Sequence, residues 1–472
     1  MSGGSIVVVD IGKTLSKVTL WTKDGELRDR RTRPNQARTI DGLRRLDTAG
    51  IADWIVEVLS SYRERSVEAI IPVGHGAGIV ALDAGGTLAF EPLDYEQSIP
   101  DDVMSAYRAE RDAFELTGSP PLPDGLNIGS QLFWLQQIYP ETMRTAVLVP
   151  WAQYWAWFLC GIAASEVTSL GCHSDLWLPH EGTFSPLAVR MGWSDRFAAI
   201  ARASDVIGTL RGEIAAKTGL SPRVQVLAGL HDSNAALLAA RGFGEIADNE
   251  ATILSTGTWF IAMRSLGKGR ATPRLPSGRD CLFNVDASGN PVPSARFMGG
   301  REIETVIEID TRRVDIKPDQ PRLMAAVPEL LRNSAMLLPT LAPGYGPFPE
   351  GKARWLGEPA DWHARRAAAC LYAALVADQA LDLIGAEERL LVEGRFAEAQ
   401  VFVKALAALR PDMQVFTANA HNDVSFGAMR LVNPSLRPQG RLALAEPIDG
   451  DLDTYRSRWL AELDGRPAGL VA

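Results

Sequence analysis

The residues best suited to chemistry stand at three glycine-bearing bends. The first is Asp10-Ile11-Gly12-Lys13-Thr14-Leu15-Ser16-Lys17, where an acid, two hydroxyls and two cations follow an apolar run. The second is Ala228-Gly229-Leu230-His231-Asp232-Ser233-Asn234, and the third is Ser255-Thr256-Gly257-Thr258. Bends of this composition present backbone N–H groups and Ser or Thr hydroxyls to a polyphosphate, and Asp10 can hold a phosphate-bound Mg2+ through water. Asp232 falls in the first turn of a helix, where backbone amides and the positive end of the dipole face an anion. The same position suits an acid that does no more than satisfy those amides, and Asp10, Thr14 and Ser16 equally suit an ordinary turn.

The elements that must position these bends are legible around them. The β-branched run 6–9 and the alternating run 17–21 bracket the first bend as two strands of a hairpin, closed by Lys23-Asp24-Gly25. The pattern returns with the run 251–254, the third bend, and a returning strand 259–263. A chain that opens twice with the same device reads as two related halves, with the boundary near 241–249. Between the bends, helical periodicity covers 42–62 and short apolar strands cover 69–73 and 224–228; the latter leads into the second bend and a helix 235–240. The second half alternates likewise: a helix 361–384 stopped by Gly385, a strand 389–392, Glu393-Gly394-Arg395, a helix 397–409 stopped by Pro411, a strand 414–418 and a helix opening at Asn422. Strands alternating with helices predict α/β layers. Pro and Gly clusters at 273–278, 289–293 and 339–351 read as loops.

Composition removes several classes of function. In 472 residues, 48 Lys and Arg against 57 Asp and Glu leave a net charge of -9, the wrong sign for gripping nucleic acid or anionic lipid. Cys160, Cys172, Cys281 and Cys370 form no CxxC pair and read as reduced thiols of a cytoplasmic protein. Asp10 interrupts the start before an export signal can accumulate. The uncharged stretch 145–165 contains Pro150, Gln153 and Tyr154 and reads as a strand, a proline corner and a Trp-rich helix rather than a membrane span. A P-loop fails at Val7, where its first glycine would stand before Gly12-Lys13-Thr14. Gly242-Phe243-Gly244-Glu245-Ile246-Ala247 spells GxGxxA but follows an Ala-rich helical segment, so it lacks the strand a dinucleotide fold needs; HExxH and GxSxG do not occur.

The three bends, with Glu393-Gly394-Arg395, resemble in order and spacing the motifs of the FGGY carbohydrate kinases. The resemblance covers nearly the whole chain: residues 10–17 match a motif near DxGTTSxR, residues 229–232 the catalytic motif, 255–258 a second phosphate motif and 393–395 the adenosine motif. It implies an α/β chain with the two-domain duplicated actin/hexokinase-like (ribonuclease H-like) ATPase fold, residues 1–244 carrying the sugar site and first phosphate motif, and 245–472 the second phosphate and adenosine motifs. The implied reaction passes the γ-phosphoryl of ATP, with Mg2+, to a sugar hydroxyl between two closing domains, Asp232 being the general base. Asp10, Gly12, Lys13, Thr14, Ser16, Lys17, Gly257, Thr258, Gly394 and Arg395 would meet the nucleotide, and Asp10 and Asp232 the metal.

Lys13 stands where the motif has its first Thr, and Leu15 where it has Ser, so Lys13 either contacts phosphate or is simply solvated. Residues 72–83 resemble the segment running past the sugar, which makes His75 and Gly76 substrate candidates; a turn histidine satisfied by backbone is the alternative. Glu166-Val167-Thr168-Ser169 stands where many members carry Thr-Asp, leaving Thr168 and His173 as further candidates beside His231. Trp151, Trp155 and Trp157 read as core, with one indole available as a wall against a sugar face. His231-Asp232-Ser233 resembles the His-Asp-Thr of the rhamnulokinase and fuculokinase branch, which favours a ketose of the L-rhamnulose or L-fuculose type. A pentulose, a polyol, a sugar acid, and an ATP switch without a sugar are the competing readings. The partners expected are a small sugar, neither nucleic acid nor membrane, with a homodimer left open.

Overall fold

The computed structural model describes residues 4–267, 269–311, 313–418 and 424–464. The chain divides into two compact units. The first contains the chain through Gly242 together with Phe283–Val292 and 424–438; the second contains Phe243–Leu282, 293–418 and 439–464. Continuous halves 1–244 and 245–472 leave out the two later segments counted with the first unit. One of them has a clear packing reason: the helix Val424–Met429 lies against the helix Asp232–Ala240, and Phe426 meets Trp21 at 6.1 Å between ring centroids. Gly427 is required there, because a Cβ would fall 1.7 Å from the Ala235 carbonyl oxygen. The expected helix start at Asn422 lies outside the described residues.

The first unit is built on the antiparallel strands Ser5–Ile11, Leu15–Thr22 and Leu27–Pro34, continued from Ser5–Ile11 by the parallel strand Val67–Gly74 and then by Gln225–Leu227 and Leu230–His231, both parallel to it. Alternation sorts the first strand onto two cores. Val7, Val9 and Ile11 face a cluster with the helices Thr48–Ser60 and Trp151–Cys160, whereas Ile6 and Val8 face one holding Ala235, Ala239 and Phe426. The second unit repeats the order. Ala251–Thr256, Phe260–Ser265 and Pro291–Phe297 run antiparallel, and Arg389–Gly394 and Gln414–Ala418 continue from the first of them in parallel. The duplicated ribonuclease H-like fold is thus present as the same strand order in both units. The helices Trp362–Leu383 and Gln400–Leu409 pack together in the second unit.

Two local readings change. Residues 42–62 are not one helix. Asp41 and Gly42, at φ 52° and 76°, turn a small hairpin of Arg38–Ile40 and Leu43–Arg45, and the helix begins at Thr48, where the Asp47 side chain accepts from Gly50 N at 3.1 Å. Residues 289–293 are a tight turn at Gly289 running into the strand from Pro291, not a longer loop. The stretch 145–165 holds the strand Val147–Pro150 and the ten-residue helix Trp151–Cys160, ended by Gly161 at φ 82°. Among the described residues no helix is long and apolar enough to cross a membrane.

Candidate active site

In the first unit the C-terminal ends of parallel strands gather the candidate residues, as is usual for ligand sites of α/β sheets. Asp10 pairs in register with Val73, and Leu230 pairs with Val73 from the other side; Ile11 and His231 flank Gly74 in the same way. A bulge sets this arrangement. Residues 227–229 span on one strand what Ile71 and Pro72 span on its partner, so Leu227 and Leu230 both reach the core of Ile6 and Val8 despite their odd spacing. Gly229, at φ 74°, occupies the bulge, and a Cβ there would lie 2.0 Å from Pro72 O. The strand then ends at His231, and Asp232 opens the helix Asp232–Ala240.

Asp232 is half-buried, with 31% of its side chain exposed. His231 Nε2 lies 3.1 Å from Asp232 Oδ1, and Ser233 Oγ donates to the same oxygen at 3.2 Å. No partner for Oδ2 is seen among the described residues. Burial opposes the Asp232 charge, but the His231 hydrogen bond and positive field outweigh it and hold the carboxyl below its ordinary range. Burial likewise opposes the charge on His231, and Cys172 and Asp232 outweigh it, raising the imidazole. Cys172 Sγ stands 3.7 Å from His231 Nε2, and Asn234 Nδ2 stands 3.4 Å from Nδ1 while Asn234 Oδ1 has no partner. Half a turn of the Asn234 amide gives the Nδ1–H of a charged ring an acceptor.

Asp10, 8% exposed, is paired with Lys17 at 3.1 Å, and both carry further interactions. Gly12 N bonds Leu15 O, Thr14 is exposed at the bend, and Ser16 Oγ donates to Asn35 Oδ1 at 2.8 Å, so Ser16 fastens the hairpin. Lys13 is not a freely solvated side chain: its ammonium is ion-paired with Asp94. His75 is stacked on Trp151, with Tyr95 edge-on at 5.5 Å, and both ring nitrogens are buried without a partner. Burial depresses it to about 4, so the ring is neutral at neutral pH, one nitrogen able to donate and the other to accept. Gly76 leaves room for Cys172 and His231, since a Cβ would lie 2.5 Å from Cys172 Sγ and 2.9 Å from His231 Nε2. Trp151 joins core and site, its indole N–H donating to Ile11 O at 3.0 Å, while Trp155 and Trp157 stay in the core.

Thr168 and His173 have structural partners. Thr168 Oγ1 accepts from His231 N at 2.9 Å and donates to Glu166 Oε2, while His173 Nδ1 meets Leu126 O at 2.9 Å. Glu166 is fully buried and its Oε1 has no partner. Burial drives its carboxyl up to about 7 against the pull of the Thr168 and Ser169 hydrogen bonds. The folded protein therefore keeps a proton that the unfolded chain releases near 4.5, and its stability falls as pH rises through this window. Glu166→Gln is expected to flatten a loss on the order of 3 kcal/mol between about pH 5 and 8, measured by urea unfolding. A pH slope equal to wild type would refute the buried, protonated Glu166.

In the second unit the two remaining motifs end adjacent parallel strands, with Thr256 opposite Gly394. Thr256 Oγ1 donates to Glu393 O at 2.5 Å and accepts from Phe396 N at 3.1 Å, which locks the motifs together. Gly394, at φ 85°, faces Thr256 O so closely that a Cβ would stand 2.4 Å away. Gly257 and Thr258 are half-buried at the bend, and Arg395 lies 3.5 Å from Glu304 with its guanidinium over the Phe396 ring. Sequence reasoning missed Gly299 and Gly300, which start the helix Gly299–Ile307 against this bend; a Cβ on Gly300 would lie 1.9 Å from Gly257 O. The adjacent glycine pair was the available signal. It also missed Asp94, Tyr95 and Cys172, which no local pattern marks. Among the described residues no group of three or more His, Cys, Asp or Glu forms a metal cage.

A family model described as carbohydrate kinase FGGY, C-terminal domain, matches residues 248–439. The crystal structure of a carbohydrate kinase from Novosphingobium aromaticivorans is 66% identical, covers 98% of this chain and 99% of its own, and superposes with a TM-score of 0.95. A xylulose kinase from Lactobacillus acidophilus, 14% identical with 98% of each chain covered, shares the fold at a TM-score of 0.80. L-fuculokinase of Escherichia coli (strain K12) is 23% identical over 283 residues, 55% of this chain and 56% of that protein. The chain thus spans about half the length of the curated relatives it matches.

Proposed function

Because the chain belongs to the FGGY family of carbohydrate kinases, we propose that it transfers the γ-phosphoryl group of ATP to a hydroxyl of a ketose, of the L-rhamnulose or L-fuculose type, with Asp232 as general base. The observation that carries this reading is the held carboxylate: His231 and Ser233 engage Asp232 Oδ1, leaving Oδ2 for the acceptor hydroxyl. As the acceptor oxygen takes the phosphoryl group, its proton passes to Oδ2, and His231 keeps the carboxylate oriented throughout. The neutral His75, with two unpartnered nitrogens, suits sugar hydroxyls, which both donate and accept.

The residues present fit ATP and Mg2+. Gly257, Gly300 and Gly394 leave bare backbone around a bend with hydroxyls, and the carboxylates of Asp10 and Asp232 are hard oxygen donors of the kind Mg2+ takes. In the first unit Gly12, Thr14 and Lys17 are proposed for phosphate and Asp10 and Asp232 for the metal; in the second, Gly257, Thr258, Gly394 and Arg395 are proposed for the nucleotide. The bound nucleotide supplies the phosphoryl group, and Mg2+ neutralises its charge. The L-fuculokinase relatives and the His231-Asp232-Ser233 sequence support the choice of a 6-deoxy-ketohexose.

A panel of ketohexuloses, pentuloses, glycerol and gluconate, read by coupled ADP release, tests this. The expected result is sugar-dependent turnover highest with a 6-deoxy-ketohexose. Preference for glycerol or gluconate would overturn the substrate, and ADP release indifferent to every acceptor would overturn the kinase.

A further inference from the structure

The surroundings of Lys13 argue against a contact with phosphate. Its side chain is 15% exposed, and its ammonium is ion-paired with Asp94, whose side chain is 1% exposed. Glu96 Oε2 lies 3.6 Å away, and the Tyr95 ring centroid 4.4 Å. The segment that supplies these groups is itself anchored: Arg44 Nε bonds Asp94 Oδ2 at 3.0 Å, Arg44 Nη2 bonds Glu96 at 2.8 Å, and Asp94 N bonds Arg44 O. Two cations thus face two acids, which leaves little positive field for a polyphosphate. Reaching one would take Lys13 away from a buried carboxylate, and a buried charge pair is costly to break. Tyr95, lying under the ammonium, is also the ring that meets His75 edge-on at 5.5 Å, and His75 is the imidazole with two buried, unpartnered nitrogens.

Resting on the assignment of His75 to the sugar, we propose that Lys13 is a positioning residue for the sugar subsite. It pins Asp94 and Tyr95 to the first hairpin, so that Tyr95 forms a wall beside His75, and it does not bind the nucleotide phosphates. A residue from the phosphate motif thereby sets sugar affinity, and its replacement of the motif's Thr changes what that position does.

The test separates the two substrates. Lys13→Met is expected to raise the KM for the preferred ketose about tenfold and to leave the KM for ATP within about twofold. Lys13→Arg, which keeps a cation for Asp94 and for the Tyr95 face, recovers most of the sugar KM. A cycle with Tyr95→Ala is expected to be non-additive in kcat/KM for the sugar, because the two residues act through one wall. A weakened KM for ATP with an unchanged sugar KM, no recovery in Lys13→Arg, or an additive cycle would each overturn the proposal. The thermal shift produced by ADP is measured on wild type and Lys13→Met in parallel and needs no turnover. An unchanged shift is expected, and a smaller shift in Lys13→Met overturns the proposal even if no acceptor in the panel supports turnover. That last failure belongs to the proposed function alone.

Discussion

Asp232→Asn is expected to lower sugar-dependent turnover by at least about a hundredfold while the melting temperature and the ADP-induced thermal shift stay near wild type. The substitution keeps the shape of the side chain and an oxygen to accept from His231 Nε2 and Ser233 Oγ, so the local packing has no reason to change. It removes the negative charge that helps raise His231, and with it the ability to take a proton. Asp10 is a poor substitute base because it is paired with Lys17. Steady-state kinetics with the preferred ketose decide the matter. If the variant retains more than about a tenth of the activity, Asp232 is not the base. If ADP no longer shifts the melting temperature, its role extends to the nucleotide.

Gly229→Ala, three residues earlier, is expected to act through the fold instead. The added Cβ would stand 2.0 Å from Pro72 O and 2.8 Å from Pro72 C, both backbone atoms of a central strand, at a φ of 74° that L side chains rarely adopt. Relief requires moving the strand Val67–Gly74 or undoing the bulge, and either displaces His231 from Gly74. A loss of about 3 kcal/mol or more in urea unfolding follows, or failure to accumulate as soluble protein. Gly86→Ala is the control: its φ of 72° is also left-handed but open space surrounds it, so only the backbone strain, about 1 kcal/mol, should appear. Equal effects at the two glycines would mean that the contact with Pro72 does not matter.

The two variants divide the site along the line between local and long-range information. The strands ending at Ile11, Thr256 and Gly394 were legible because each is an apolar or alternating run stopped by glycine and hydroxyls, a pattern that needs nothing beyond its own neighbours. The helix read at 235–240 was legible as an Ala- and Leu-rich run after a glycine turn, and the structure opens it three residues earlier, at Asp232. The hairpin at Asp41-Gly42 was lost because apolar residues on both sides of it mimic helical spacing, although the Asp-Gly pair carried the signal.

Sequence alone determined the order of the motifs, the repeated strand device in each half, and the family, since those depend on residue type and near-neighbour spacing. Only the tertiary structure decided that a one-residue bulge aims His231, that Cys172 approaches it from 59 positions away, and that Lys13 closes on Asp94 across 81. Such partners are chosen by strand register and by the need of buried charges for opposite charges, and neither leaves a periodic trace in the chain.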